Sequence, residues 1–120
     1  GYGSAYPDLD FEIAAMLLAR VISKPGGNRI CIDLGHKAVA SENPLEHRVV
    51  IPELPDARPV THSEEHLVLE VADPDTLALG TPLLAIPRHI CPTVALHAQT
   101  YIVRDNAATV ETWKVTARDR

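Results

Sequence analysis

Residues 17–34 read Leu17-Leu18-Ala19-Arg20-Val21-Ile22-Ser23-Lys24-Pro25-Gly26-Gly27-Asn28-Arg29-Ile30-Cys31-Ile32-Asp33-Leu34, and the second half of this stretch decides the fold class. Ile30, Ile32 and Leu34 alternate with Arg29, Cys31 and Asp33, the period-two pattern of a strand with one buried face. Lys24-Pro25-Gly26-Gly27-Asn28 ahead of it is a turn signal, so a two-strand unit across residues 17–34 is predicted. The first half has two readings. Phe11, Ala14, Leu18 and Ile22 fit a helical stripe, and Leu17 to Ile22 fits a buried strand equally well.

The same pattern recurs outward along the chain. Gly35 ends the second strand, and residues 40–46 form a polar loop before Val49, Val50 and Ile51, which Pro52 closes. Leu67, Leu69 and Val71 alternate with His66, Val68 and Glu70, and Leu83 to Ile86 is a short apolar run ending at Pro87. Tyr101 to Val103 and Val110 to Val115 flank Arg104 to Thr109, where Asp105-Asn106 suits a hairpin turn. Ten prolines cut the chain into short pieces and exclude long helices. The predicted fold is mainly β: six or seven short strands in a small antiparallel barrel-like or sandwich-like domain with short helical turns. Gly1 to Asp10 lacks periodicity and reads as a lead-in.

At 120 residues, 46% apolar and 22% charged, the chain fits one globular domain. Eleven Lys and Arg against sixteen Asp and Glu give a net charge of −5, the wrong sign for a protein that neutralises phosphates, so a nucleic-acid partner is not expected. The longest apolar stretch, Ile13 to Ala19, falls far short of the roughly 20 residues that cross a bilayer, and no membrane partner is expected. Two cysteines and the lack of a secretory pattern at the start predict a cytoplasmic protein with reduced thiols.

Six histidines, against one Phe, one Trp and three Tyr, direct attention to ligands and proton carriers. His62-Ser63-Glu64-Glu65-His66 formally matches the H-x-x-E-H pattern of some zinc peptidases. Those enzymes need the segment on a helix, whereas Pro59 precedes it and a strand follows from His66, so a polar loop entering a strand is the better reading. His89-Ile90-Cys91 places an imidazole and a thiol two residues apart, on one face if the segment is extended. Both are ligand types that zinc accepts, and two protein ligands would leave positions open for water or substrate. By spacing alone, a buried cysteine beside a hydrogen-bonded histidine is the plainer interpretation. Cys31 reads as a core thiol and Trp113 as a packing anchor, while nucleotide-binding and α/β-hydrolase motifs are missing from the sequence.

Four stretches then fall in order: Asp33-Leu34-Gly35-His36-Lys37-Ala38, Ser63-Glu64-Glu65-His66-Leu67, Pro87-Arg88-His89-Ile90-Cys91-Pro92-Thr93 and Trp113-Lys114-Val115-Thr116-Ala117-Arg118. Together they resemble the C-terminal domain of the D-threonine aldolase and D-serine dehydratase family of pyridoxal-phosphate enzymes, from about Leu17 to Arg118. The resemblance implies a β domain, residues 17–120, normally appended to a (β/α)8 barrel, with residues 1–16 leading in from that barrel. It implies a divalent metal on a His and, two residues later, a Cys or an Asp, which map onto His89 and Cys91. The Cys version is similar to the dehydratase branch and goes with zinc, with manganese or magnesium as alternatives; the Asp version is more typical of the aldolases. Pyridoxal phosphate and its lysine would belong to the barrel, since Lys24, Lys37 and Lys114 do not match the cofactor lysine's position. The implied partners are that barrel, a D-3-hydroxy amino acid and a second copy of the chain. On this reading the domain is inactive alone, Asp33 and Lys37 organise it or its contact with the barrel, and His36, His47 and His97 are surface or loop residues. The rival expectation is a stand-alone β module that binds a partner or itself.

Overall fold

In the computed structural model, which describes Tyr6, residues 8–104 and residues 107–118, the helical stripe over Phe11 to Ile22 gives way to a strand, β1 (Leu17–Gly26). Ala19 and Val21 are buried at 0% and 1% exposure while Leu18 and Ile22 stand 58% and 41% exposed, so the burial period is two. β1 turns through Gly27-Asn28 into β2 (Arg29–Ile32), with Gly26 paired to Arg29. Gly26 (φ 106°) and Gly27 (φ 61°) hold the left-handed conformations this tight reversal demands.

The remaining strands are β3 (Val49–Val50), β4 (Arg58–His62), β5 (Leu67–Glu70), β6 (Pro82–Pro87), β7 (Gln99–Arg104) and β8 (Ala107–Lys114). All pairings among the described residues are antiparallel. The first six form one sheet in the order β3-β6-β1-β2-β5-β4, and β7 and β8 form a separate hairpin. The whole is a mainly β domain built on a curled, half-barrel sheet. β4 is the strand that sequence patterning lacks: it lies at the sheet edge, carries Pro59 and bulges between Pro59 and Thr61, so its side chains show no buried stripe. The Asp105-Asn106 turn predicted for β7 and β8, and Gly1 to Ala5 and Pro7 of the predicted lead-in, lie outside the described residues.

Curling originates in β1. Its first half pairs with β6 and its second with β2, and register shifts on either side of Ser23 bend it between the two. The core lies on one face of the sheet: Ala19, Val21, Ile30, Ile32, Leu34, Val39, Ile51, Leu67, Leu69, Val71, Leu83 and Ala85. Small residues sit opposite large ones, Ala19 across from Leu83 and Ala85 across from Leu17, which lets the bent strands interdigitate. Truncating Ile30, Ile32 or Leu67 to Ala would cost about 2–5 kcal/mol each. Cys31 is buried, as expected of a core thiol.

After β2 the chain folds onto the β4–β5 turn. The backbone N–H groups of His36 and Lys37 donate to the carbonyls of Ser63 (2.9 Å) and Glu64 (3.0 Å). Lys37 Nζ lies 2.9 Å from Glu65 and 3.9 Å from Glu64. At Gly35 the approach is so close that a Cβ would stand 1.9 Å from the Glu64 carbonyl oxygen. The obstruction is backbone, which has no rotamer to relieve it. Gly35→Ala is therefore expected to destabilise the domain by about 2 kcal/mol or more, read as a lower urea midpoint; an unchanged midpoint would refute this contact.

Candidate functional site

β6 ends at Pro87, and a short helix, α1 (Ile90–Ala95), begins three residues later. This corrects the geometry expected for His89 and Cys91. His89 is the extended residue that precedes the helix and Cys91 lies in its first turn, so the two do not share a strand face. Pro92 fits here because the first N–H groups of a helix have no intrahelical acceptor. Both side chains are exposed, and Cys91 is a free thiol.

Two bonds lash α1 and its C-terminal flank to the loop after β2. Thr93, 1% exposed, donates its hydroxyl to the His89 carbonyl (2.7 Å) and accepts the Ala40 N–H (3.1 Å). His97 Nε2 donates to the Ala38 carbonyl (2.8 Å). Further along that loop Arg48 Nε donates to the Asn43 carbonyl (2.9 Å). Between these anchors the His89 ring hydrogen-bonds through Nδ1 to Glu42 Oε1. The Glu42 carboxyl is held below its ordinary value, first by a backbone hydrogen bond of its own residue and next by the His89 bond. A carboxylate only accepts, so Nδ1 carries the proton. His89 Nε2 makes no hydrogen bond among the described residues. An imidazole nitrogen and a thiol at one exposed helix start suit zinc by donor type. No group of three or more His, Cys, Asp and Glu that could close a metal shell occurs among the described residues.

The other candidates resolve into structure. His62 and His66 stand on either side of the β4–β5 turn, where Ser63 N–H donates to the His66 carbonyl (2.8 Å), not on a helix. His62 accepts from Arg48 Nη1 (2.9 Å) at Nδ1 and donates to the Leu34 carbonyl (3.0 Å) from Nε2, which fixes a neutral ring. His36 packs edge-on against it, with ring centroids 6.0 Å apart. His47 is exposed in a 3₁₀ turn, Leu45–His47. His97, expected at the surface or in a loop, lies in the loop between α1 and β7, half-buried and tied to Ala38. Trp113 is not a packing anchor: it is 55% exposed on the separate hairpin, its Nε1 donating to Glu111 (2.8 Å). Glu42, Arg48 and Thr93 escaped sequence reasoning because their partners lie far along the chain and no local spacing marks them.

Residues 14–103 match the family model described as "Putative serine dehydratase domain". The chain belongs to this family. The D-threonine aldolase of an Arthrobacter species is 33% identical over 112 residues, 92% of this chain but 28% of the aldolase. The crystal structure of D-threonine aldolase from Filomicrobium marinum superposes with a TM-score of 0.77 and 33% identity, covering 92% of this chain and 29% of that one. This chain thus spans under a third of either aldolase and corresponds to the C-terminal domain of such enzymes. An uncharacterised protein of Mycobacterium tuberculosis is 32% identical over 123 residues, 94% of this chain and 86% of its own length. An alanine racemase-like protein of Idiomarina loihiensis shares the fold at a TM-score of 0.67 and 20% identity. No helix among the described residues is long and apolar enough to cross a membrane.

Burial, ahead of the facing Arg48 charge, lowers the His62 pKa below the ordinary 6.5. The unfolded ring therefore takes up a proton at higher pH than the folded one. Its contribution to stability is complete above about pH 6.5 and fades as the pH falls toward the folded value. Thermal midpoints measured from about pH 7.5 down to about 5.5 should fall in the wild type and fall less in His62→Gln; equal slopes would remove His62 as the cause.

Proposed function

We propose that this domain carries a divalent ion on His89 and Cys91 for a pyridoxal-phosphate lyase acting on D-3-hydroxy amino acids. The cofactor, its lysine and its phosphate site would come from a barrel domain. What supports this reading is the 33% identity to a D-threonine aldolase across 92% of the chain, with an imidazole and a thiol exposed together at the start of α1. Zinc suits the thiol best, with manganese and magnesium as poorer matches.

The chain's own residues would act as follows. His89 and Cys91 hold the ion from a surface that can face a second domain. When bound, the ion supplies Lewis-acid chemistry to a substrate hydroxyl. Thr93 fixes the carbonyl of His89 and so the start of the helix on which both ligands sit. Asp33, Lys37 and Gly35 organise the loop behind them: the Asp33 carboxylate accepts the Arg20 N–H (2.5 Å), and Lys37 is paired with Glu65. Lys24, Lys37 and Lys114 do not match the position that the resemblance gives the cofactor lysine. The domain alone would therefore not turn over substrate. Whether the C–O or the C–C bond breaks would be decided by acid and base groups of the barrel.

Plasma mass spectrometry on chelator-free protein tests the reading. Near-stoichiometric zinc is expected in the wild type and its loss in His89→Ala and in Cys91→Ala, with no turnover of D-serine or D-threonine by any of the three, even with pyridoxal phosphate added. Zinc retained by both variants would overturn the ligand assignment.

A second reading, self-association as a free-standing module, is favoured by the mycobacterial relative of which this chain covers 86%. Leu18 and Leu84, cross-strand partners on the outer face, are 58% and 39% exposed. Light scattering after size exclusion should show a concentration-dependent dimer that Leu18→Glu weakens; a monomer at every concentration would refute it.

A further inference from the structure

The structure assigns Glu42 a role: we propose that it is the positioning residue of the His89 ring, holding Nδ1 so that Nε2 is the nitrogen offered to the ion. This deepens the metal reading above and rests on it. The His89 Nδ1–H donates a hydrogen bond to Glu42 Oε1. A neutral imidazole protonated at Nδ1 has its lone pair at Nε2, and Nε2 makes no hydrogen bond among the described residues. A carboxylate on the far nitrogen orients a ligating imidazole, fixes its tautomer and raises its basicity.

Glu42 is built into place by its neighbours. On one side the backbone N–H of Ala40 is bonded to Thr93, and the Ala38 carbonyl is bonded to His97. On the other side the carbonyl of Asn43 is bonded to Arg48. Thr93 is also bonded to the carbonyl of His89, so one buried hydroxyl fixes both the loop that carries the carboxylate and the residue that carries the ring. Holding both backbones in one frame is what keeps a ring at a set angle.

Two measurements on the full chain test this. In the zinc-free protein, long-range nitrogen–proton NMR should find His89 protonated at Nδ1, changing toward the Nε2 form in Glu42→Ala. Zinc affinity, by competition with a chromophoric chelator, should weaken about 10- to 100-fold in Glu42→Ala. Glu42→Gln, which keeps an acceptor oxygen, should recover part of that loss, and Glu46→Ala, an exposed acid on the same loop, should bind as wild type. Circular dichroism of each variant separates misfolding from lost orientation. Full zinc affinity and an unchanged tautomer in Glu42→Ala would overturn this role alone. A wild type with no zinc affinity would overturn the metal reading and this role together.

Discussion

Backbone packed on backbone at Gly35 is the constraint from which the rest of the domain follows. With no side chain there, the segment after β2 settles onto the Glu64–Glu65 peptide and receives two further backbone bonds through His36 and Lys37. That docking sets where the chain turns, through Ala38 and Val39, whose N–H groups both return to the Gly35 carbonyl. Ala40 is then delivered to Thr93, and Glu42 to His89. Contacts on opposite sides of the loop are thus links in one chain of placement from Gly35 to the imidazole.

Much of this was legible in the residues. Alternation in Arg29 to Leu34 identified β2 as a strand, but not its two-sided burial: Cys31, read as the outward position, is buried together with Ile30 and Ile32. The same rule failed for β4, an edge strand whose bulge and proline erase the period. It was ambiguous for β1, where Leu18 and Ile22 lie on the outward face and so mimic a helical stripe. At the site, donor chemistry pointed to His89 and Cys91. Patterning ended the strand at Pro87, as the structure does, but could not foresee that a helix begins at Ile90. Glu42 was illegible for a different reason: it reads as one acid in a polar loop, and only tertiary folding brings it to a histidine far along the chain.

The comparisons divide the relatives in an informative way. In the two aldolases the matched region is under a third of a longer chain, whereas in the mycobacterial protein it makes up most of the molecule. The sheet has its own core of apolar residues from strands β1, β2, β5 and β6, which is the physical requirement for a unit that folds without a neighbour. Exposed apolar residues lie outside that core, among them Phe11, Ile13 and Met16 before β1, Leu18, Ile22 and Leu84 on the outer face of the sheet, and Tyr101, Val103 and Trp113 on the hairpin. Removing a companion domain from such an arrangement exposes surface without opening the interior.

The two ends of the six-stranded sheet have a consequence for how this molecule meets others. One end is β3, only two residues long; the other is β4, interrupted by Pro59 and its bulge. A short strand and a proline-bearing one both make poor templates for a neighbouring strand, because few N–H and C=O groups are free in register. At these two edges the six-stranded sheet is therefore guarded against zipping onto another copy through main-chain ladders, the route toward fibrous aggregates. Association through this sheet is left to side chains on its broad outer face, where it is reversible and open to selection one residue at a time.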